Sequence, residues 1–197
     1  MRKVSVGDSK FMSFVLRHKP EAIGLHLSQE GWASIDDLIE CAGQNGHSLT
    51  REMIDQIVAT SDKKRFSLSA CGRNIRASQG HTAKAVKIEF ECLAPPEILF
   101  HGNASRFLDS IMDKGLVSGA RHHVHLSELE ATAIEVGMRY GKPVVLVVQA
   151  RKMQDAGIQF YRSENGVWLT ETVPSAFIHV KNHDVENQII SSQSPEP

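Results

Sequence analysis

The chain has 197 residues, 41% of them hydrophobic, with 22 Lys and Arg against 23 Asp and Glu. This is enough apolar material for one ordinary domain or two small ones, and the balanced charge excludes a protein that holds a polyanion by bulk attraction alone. Any phosphate must be bound by placement. Residues 1 to 92 carry 13 basic and 11 acidic side chains, the remainder 9 and 12, so the front half is the more basic. Three cysteines without CxxC spacing, and no leader-like N-terminus, lead us to expect a cytoplasmic protein without disulfides. The longest apolar run, PVVLVVQA, is too short to span a bilayer.

In chain order, Ser9 is expected to cap a first helix ending near Lys19, because Pro20 cannot continue the ladder and pushes its predecessor out of the α region. Ser34 with Asp37 resembles a capping box for a second helix with Ile35, Leu38, Ile39 and Ala42 on one face. Thr50 caps a third, with Met53, Ile54, Ile57 and Val58. KKRFSLSACGRNIRA then alternates around a Cys-Gly turn as a hairpin does, so three helices and a hairpin suggest a winged-helix domain over 1–85.

VKIEFECL has period 2 and is expected to be the strand, 86 to 93, that opens a second domain over 86–182. After Pro95-Pro96 come a strand at EILFHG, a helix from Ser105 to Lys114 closed by Gly115, and a strand at HHVHLS. Ser127 with Glu130 resembles a capping box for a helix over 128 to 140, followed by strands at VVLVVQA, VWLT and SAFIHV. Residues 183–197, polar and with two prolines, are expected to be a disordered tail.

Several groups could carry chemistry. Arg17 and His18 close an apolar helix, where cations complement the helix dipole; alternatively they form a phosphate clamp, guanidinium forks gripping oxygens in pairs. Lys63, Lys64 and Arg65 precede Phe66: the lysines suit a solvated surface, whereas the strand that Arg65 begins fixes its direction. In RHHVHLS, Arg121 precedes Val124 and Leu126, which face a core, with His123 and His125 on the other face. No carboxylate or cysteine lies at ligand spacing, so a metal is not expected. His101 ends a strand, and Gly102 behind it would let a ligand approach the backbone.

Taken together, SFVLRHKPE, SDKKRF, IRASQGHT, FHGN, RHHVHLS and ENGVWLT resemble the RNA 2′-phosphotransferase (KptA) family in order and spacing over roughly residues 8 to 180. The resemblance implies an α+β fold, a winged-helix lobe followed by an ADP-ribosyltransferase-like mixed α/β lobe that binds NAD. It also implies a two-step reaction. The internal 2′-phosphate of an RNA, such as a tRNA splice junction, attacks C1″ of the nicotinamide ribose of NAD⁺ and expels nicotinamide. The ribose O2″ then attacks the phosphorus, leaving 2′-hydroxyl RNA and ADP-ribose 1″,2″-cyclic phosphate. No metal takes part.

By the same resemblance Arg17, His18, Arg65 and Arg121 are the catalytic set; His101, Gly102, His125, Ser127, Asn165 and Val167 contact NAD; and Lys19, Lys64 and His81 support the RNA. Val167 stands where protein-modifying transferases carry a glutamate, with Glu164 nearby; Asn103 and Thr82 depart from the family's usual HGT and QGHS. A monomer without membrane contact is expected. Two alternatives are an ADP-ribosyltransferase acting on nucleic-acid ends or protein, and a winged-helix nucleic-acid-binding regulator.

Overall fold

The computed structural model describes residues 4–61 and 63–181. The tail expected over 183–197 lies outside them. The elements in chain order are α1 (Val6–Arg17), β1 (Ala33–Ser34), α2 (Ile35–Gln44), α3 (Arg51–Thr60), β2 (Phe66–Leu68), β3 (Asn74–Ala77), β4 (Glu91–Cys92), β5 (Leu99–Ala104), α4 (Leu108–Lys114), β6 (Leu116–Val117), β7 (Val124–Leu126), α5 (Glu130–Met138), β8 (Pro143–Val148), α6 (Ala150–Asp155), β9 (Tyr161–Arg162), β10 (Trp168–Thr170), β11 (Thr172–Val173) and β12 (Ile178–Val180). This is an α+β chain with small antiparallel sheets.

Two compact units form. The first comprises Met1–Cys92, Ser118–His123 and Tyr161–Leu169; the second, Leu93–Val117, Val124–Phe160 and Thr170–Pro197. In the first unit, Met12, Val15 and Leu16 of α1, Leu38 and Ala42 of α2, Ile54 and Ile57 of α3, and Phe66 and Ile75 of the hairpin share one core. Burying each such side chain contributes roughly 1.5–3 kcal/mol. The hairpin pairs Phe66 with Ala77 and Leu68 with Ile75, and β1 adds to its other edge, giving the order β1-β3-β2.

Helix starts follow their caps. Ser34 and Thr50 accept from the backbone N–H of Asp37 and Met53, as expected. The start of α1 is earlier than Ser9: Ser5 and Asp8 form a reciprocal capping box, which satisfies donors at both positions. The stop near Pro20 stands, with α1 ending at Arg17 and a short 3-10 turn over Pro20–Ile23.

The strand expected over 86 to 93 shrinks to Glu91–Cys92, whose partners are Arg162 and Tyr161. Alternation supplies a face, but a strand also needs a partner for its backbone groups. Earlier in this stretch Lys87 N–H instead donates to the Gln29 carbonyl.

In the second unit β5 and β8 pair over six residues, with β12 on the far side of β8, and α5 packs on this sheet. Leu99, Leu146, Val148, Met153 and Phe160 are fully buried there. The capping box expected at Ser127 is absent: its hydroxyl accepts from Leu129 N–H and donates to the Leu129 carbonyl, and α5 begins at Glu130. The helix expected over 105 to 114 begins as a 3-10 turn at Ser105–Phe107. Helix α6 and strands β1, β6, β9 and β11 lie outside the sequence expectations.

Candidate functional site

In the first unit the end of α1, the start of β2 and the stretch after β3 converge. Arg17 is placed by α1, whose opposite face carries buried Val15 and Leu16. Its Nη2 donates to the Arg65 carbonyl at 3.3 Å, and its own carbonyl accepts from Thr82 N–H at 2.9 Å. Nε of Arg17 is buried without a hydrogen-bond partner. Burial, then the positive charges of Arg65 and Arg121, lower its pKa to about 10. Burial and like charge both disfavour the cation, although at a pKa of about 10 Arg17 stays protonated at neutral pH.

His18 is half-buried, and its Nδ1 lies 3.0 Å from the Thr82 hydroxyl. Desolvation, followed by the charges of Arg17 and Arg121, lowers its pKa. Thr82 thereby has a local role: it orients the imidazole.

Arg65 is aimed by its backbone. Asn165 Nδ2 donates to the Lys63 carbonyl at 3.1 Å, Ser78 Oγ to the Lys64 carbonyl at 2.9 Å, and Ser78 N–H to the Arg65 carbonyl at 3.0 Å. Three consecutive carbonyls are thus held, across a Lys64 whose φ of 39° lies in the left-handed region, which non-glycine residues seldom enter. Buried Phe66 anchors the next position.

His81 is 4% exposed, and its Nε2 has no partner. Burial first, then Arg17, His122, His18 and Arg76, push its pKa down to about 4. Arg76 lies 4.4 Å from the Trp32 ring centroid and is ion-paired to Glu164. Glu164 also accepts from the Ser67 hydroxyl. Desolvation opposes its ionisation, but the bonds from Ser67 and Arg76 prevail and its pKa falls.

The structure therefore brings Arg17, His18, Arg65, Arg121 and His81 together in one unit, whereas Lys19 and Lys64 are exposed. Asn165, expected at NAD, has its amide on Lys63, with Oδ1 accepting from Ser163; the backbone of Val167 is bonded to Ser163. Sequence reasoning missed Ser67, Ser78, Arg76 and Trp32. The available signal was strand alternation: with Ile75 and Ala77 buried, Arg76 must project from the other face.

The second unit holds the remaining positions. His101 Nδ1 lies 2.9 Å from the His125 carbonyl; since a carbonyl only accepts, Nδ1 carries a proton and donates. The close approach at Gly102 is made by the protein itself: a Cβ there would lie 1.7 Å from the Ala133 carbonyl oxygen. The three histidines of RHHVHLS diverge. His122 joins the His81 cluster, His123 packs edge-on against Phe90 and near Tyr161, and the carbonyl of His125 holds His101.

Known proteins share this pattern over most of the chain. Residues 3–172 match the model of the RNA 2′-phosphotransferase, Tpt1 / KptA family. A protein of Pseudomonas fluorescens named "Probable RNA 2′-phosphotransferase" is 56% identical over 177 residues, covering 90% of this chain and 97% of its own length. Proteins of the same name from Escherichia coli O45:K1 and Pseudomonas aeruginosa are 60% and 58% identical, covering 86% and 90% of this chain and 88% and 97% of their own. The family match reaches into both compact units and includes every candidate site residue named above, and the chain belongs to the RNA 2′-phosphotransferase, Tpt1 / KptA family.

Proposed function

We propose that this RNA 2′-phosphotransferase removes an internal 2′-phosphate from RNA at the expense of NAD⁺, through a 2′-phospho-ADP-ribosyl RNA, releasing nicotinamide and ADP-ribose 1″,2″-cyclic phosphate. The observation that carries the reading is Arg17: a half-buried side chain with a buried, orphaned Nε–H, set among the like charges of Arg65 and Arg121. A phosphate dianion would satisfy the donor and cancel the repulsion.

On this reading Arg17, Arg65 and Arg121 hold the phosphate, orient it for attack and stabilise charge on its oxygens during phosphoryl transfer. His18 enters largely neutral, because desolvation and Arg17 disfavour its cation; it can contact the phosphate or accept a proton from a ribose hydroxyl. His81 and Thr82 back the clamp, and Lys19 and Lys64 meet the RNA from the surface.

NAD supplies the electrophilic ribose carbon. The residues of the second unit fit it: the His101 ring, held by the His125 carbonyl, lies against the nicotinamide ribose, and Ser127, which already accepts one hydrogen bond, has a lone pair for another. Gly102 and His125 act through the backbone around His101. No catalytic carboxylate is needed where Val167 stands, since the acceptor arrives ionised, and Glu164 is engaged by Ser67 and Arg76.

The test is to incubate the protein with NAD⁺ and a short RNA bearing one internal 2′-phosphate. Equal amounts of nicotinamide, dephosphorylated RNA and cyclic phosphate are expected. Nicotinamide release with the ADP-ribose remaining on a nucleic-acid end or a protein would replace this reading with simple ADP-ribosyl transfer.

A further inference from the structure

Beyond the phosphate clamp, the first unit carries a cleft of about 600 Å³ lying between α1 and the end of α3. This is the size range of small-molecule sites. One wall is a single face of α1, with Val6, Lys10, Ser13 and Phe14, and it runs to His18; across it stand Ile57, Thr60 and Ser61, followed by Lys63 and Arg65. His18 and Arg65 thus belong to both the clamp and the cleft.

The lining is sorted by charge. Lys10, Lys63 and Arg65 face it, and among the described residues no carboxylate does, in a chain whose formal net charge is −1. Asp8, on the same helix, is turned inward into the capping box. Phe14 is 43% exposed. Apolar burial does not explain this ring, because Val15 and Leu16 beside it already occupy the core. Cations along a groove with an accessible ring are what single-stranded nucleic acid uses, with phosphates on the lysines and a base on the aromatic face.

We propose that this cleft binds the single-stranded nucleotides flanking the 2′-phosphorylated residue, with Phe14 stacking a base and Lys10 pairing with a backbone phosphate. The proposal rests on the functional reading above and extends it from the reacting phosphate to the RNA strand. Specificity then comes from the reach of the strand along α1, and base identity is read weakly, since stacking tolerates every base.

The experiment compares 2′-phosphorylated RNAs extended one nucleotide at a time on the 5′ or the 3′ side, in the presence of NAD⁺. For the parent, KM should fall as the strand grows by about two nucleotides on one side and then level off, with kcat nearly constant. Phe14→Ala and Lys10→Ala, both at exposed positions, should each raise KM for the longer RNAs by about 5- to 10-fold, and should match the parent on the shortest. Added salt should weaken the length effect less in Lys10→Ala than in the parent. A parent whose KM ignores length, or variants that lose the same factor on every RNA, would overturn the proposal while leaving the phosphotransferase reading intact. Absence of turnover on all the RNAs would remove both.

Discussion

Taking a guanidinium out of water costs several kcal/mol unless acceptors or an anion compensate it. Arg17 bears that cost with one bond to a carbonyl and an unpartnered Nε, and the proposed phosphate supplies what is missing. Its neighbours then have separable roles. Arg65→Ala or Arg121→Ala should slow phosphoryl transfer by about 100- to 1000-fold, so that ADP-ribosylated RNA accumulates in a time course resolved by gel electrophoresis; parent-like time courses would remove these arginines from the reaction.

His81 makes a second prediction at this scale. Its folded pKa, about 4, lies below the ordinary value of 6.5. The unfolded chain therefore binds more protons between these values, and stability is complete above about pH 6.5 and declines as the pH falls towards 4. The contribution is on the order of 3 kcal/mol. Replacing His81 with Gln should flatten the fall in Tm over this window relative to the parent; parallel Tm profiles would show that His81 is not the group responsible. From the sequence, Arg17 suits a helix dipole as well as a phosphate, and only the family resemblance groups it with Arg65 and Arg121. The strap that aims Arg65 was not legible there, because its donors Ser78 and Asn165 lie 13 and 100 positions away and read locally as strand and turn residues.

At the scale of elements, local chemistry predicted what local chemistry decides. Ser34 and Thr50 start helices because their hydroxyls reach N–H groups three residues on. Ser9 and Ser127 are equally plausible by type, yet Ser5 already has Asp8 at box spacing and Ser127 closes on Leu129. Gly102 carries a packing demand that the sequence did not announce, for backbone of α5 approaches it. Gly102→Ala would drive a methyl group into the Ala133 carbonyl, so α5 must move off β5 and β8. A loss of about 3 kcal/mol, the upper end for overpacking, is expected in urea unfolding. An unchanged midpoint would mean that α5 shifts at little cost.

For the whole molecule, the chain enters the first unit three times, and the later visits bring parts of the candidate site. Ser118–His123 carries Arg121; Tyr161–Leu169 carries the strand that pairs with β4 and the turn whose Glu164 and Asn165 hold β2, β3 and the Arg65 strap. The expected boundary at 85/86 follows a linear change in pattern, and a linear reading has no signal for a segment that returns from 30 or 70 residues downstream. A fragment ending at Cys92 should retain the three helices but melt at a lower urea concentration and bind inorganic phosphate more weakly than the full chain. Equal midpoints and equal affinities would show the returning segments to be dispensable.

This interleaving also bears on inheritance. A gene fusion or a single cut can transplant a module only if its residues are contiguous, and here any one crossover between residues 65 and 164 separates Arg17 and Arg65 from Arg121 or from the turn at Glu164. The two units are obliged to travel together, so lineages carrying this chain would diversify it by substitution in place and by extension at its ends, with no exchange of halves.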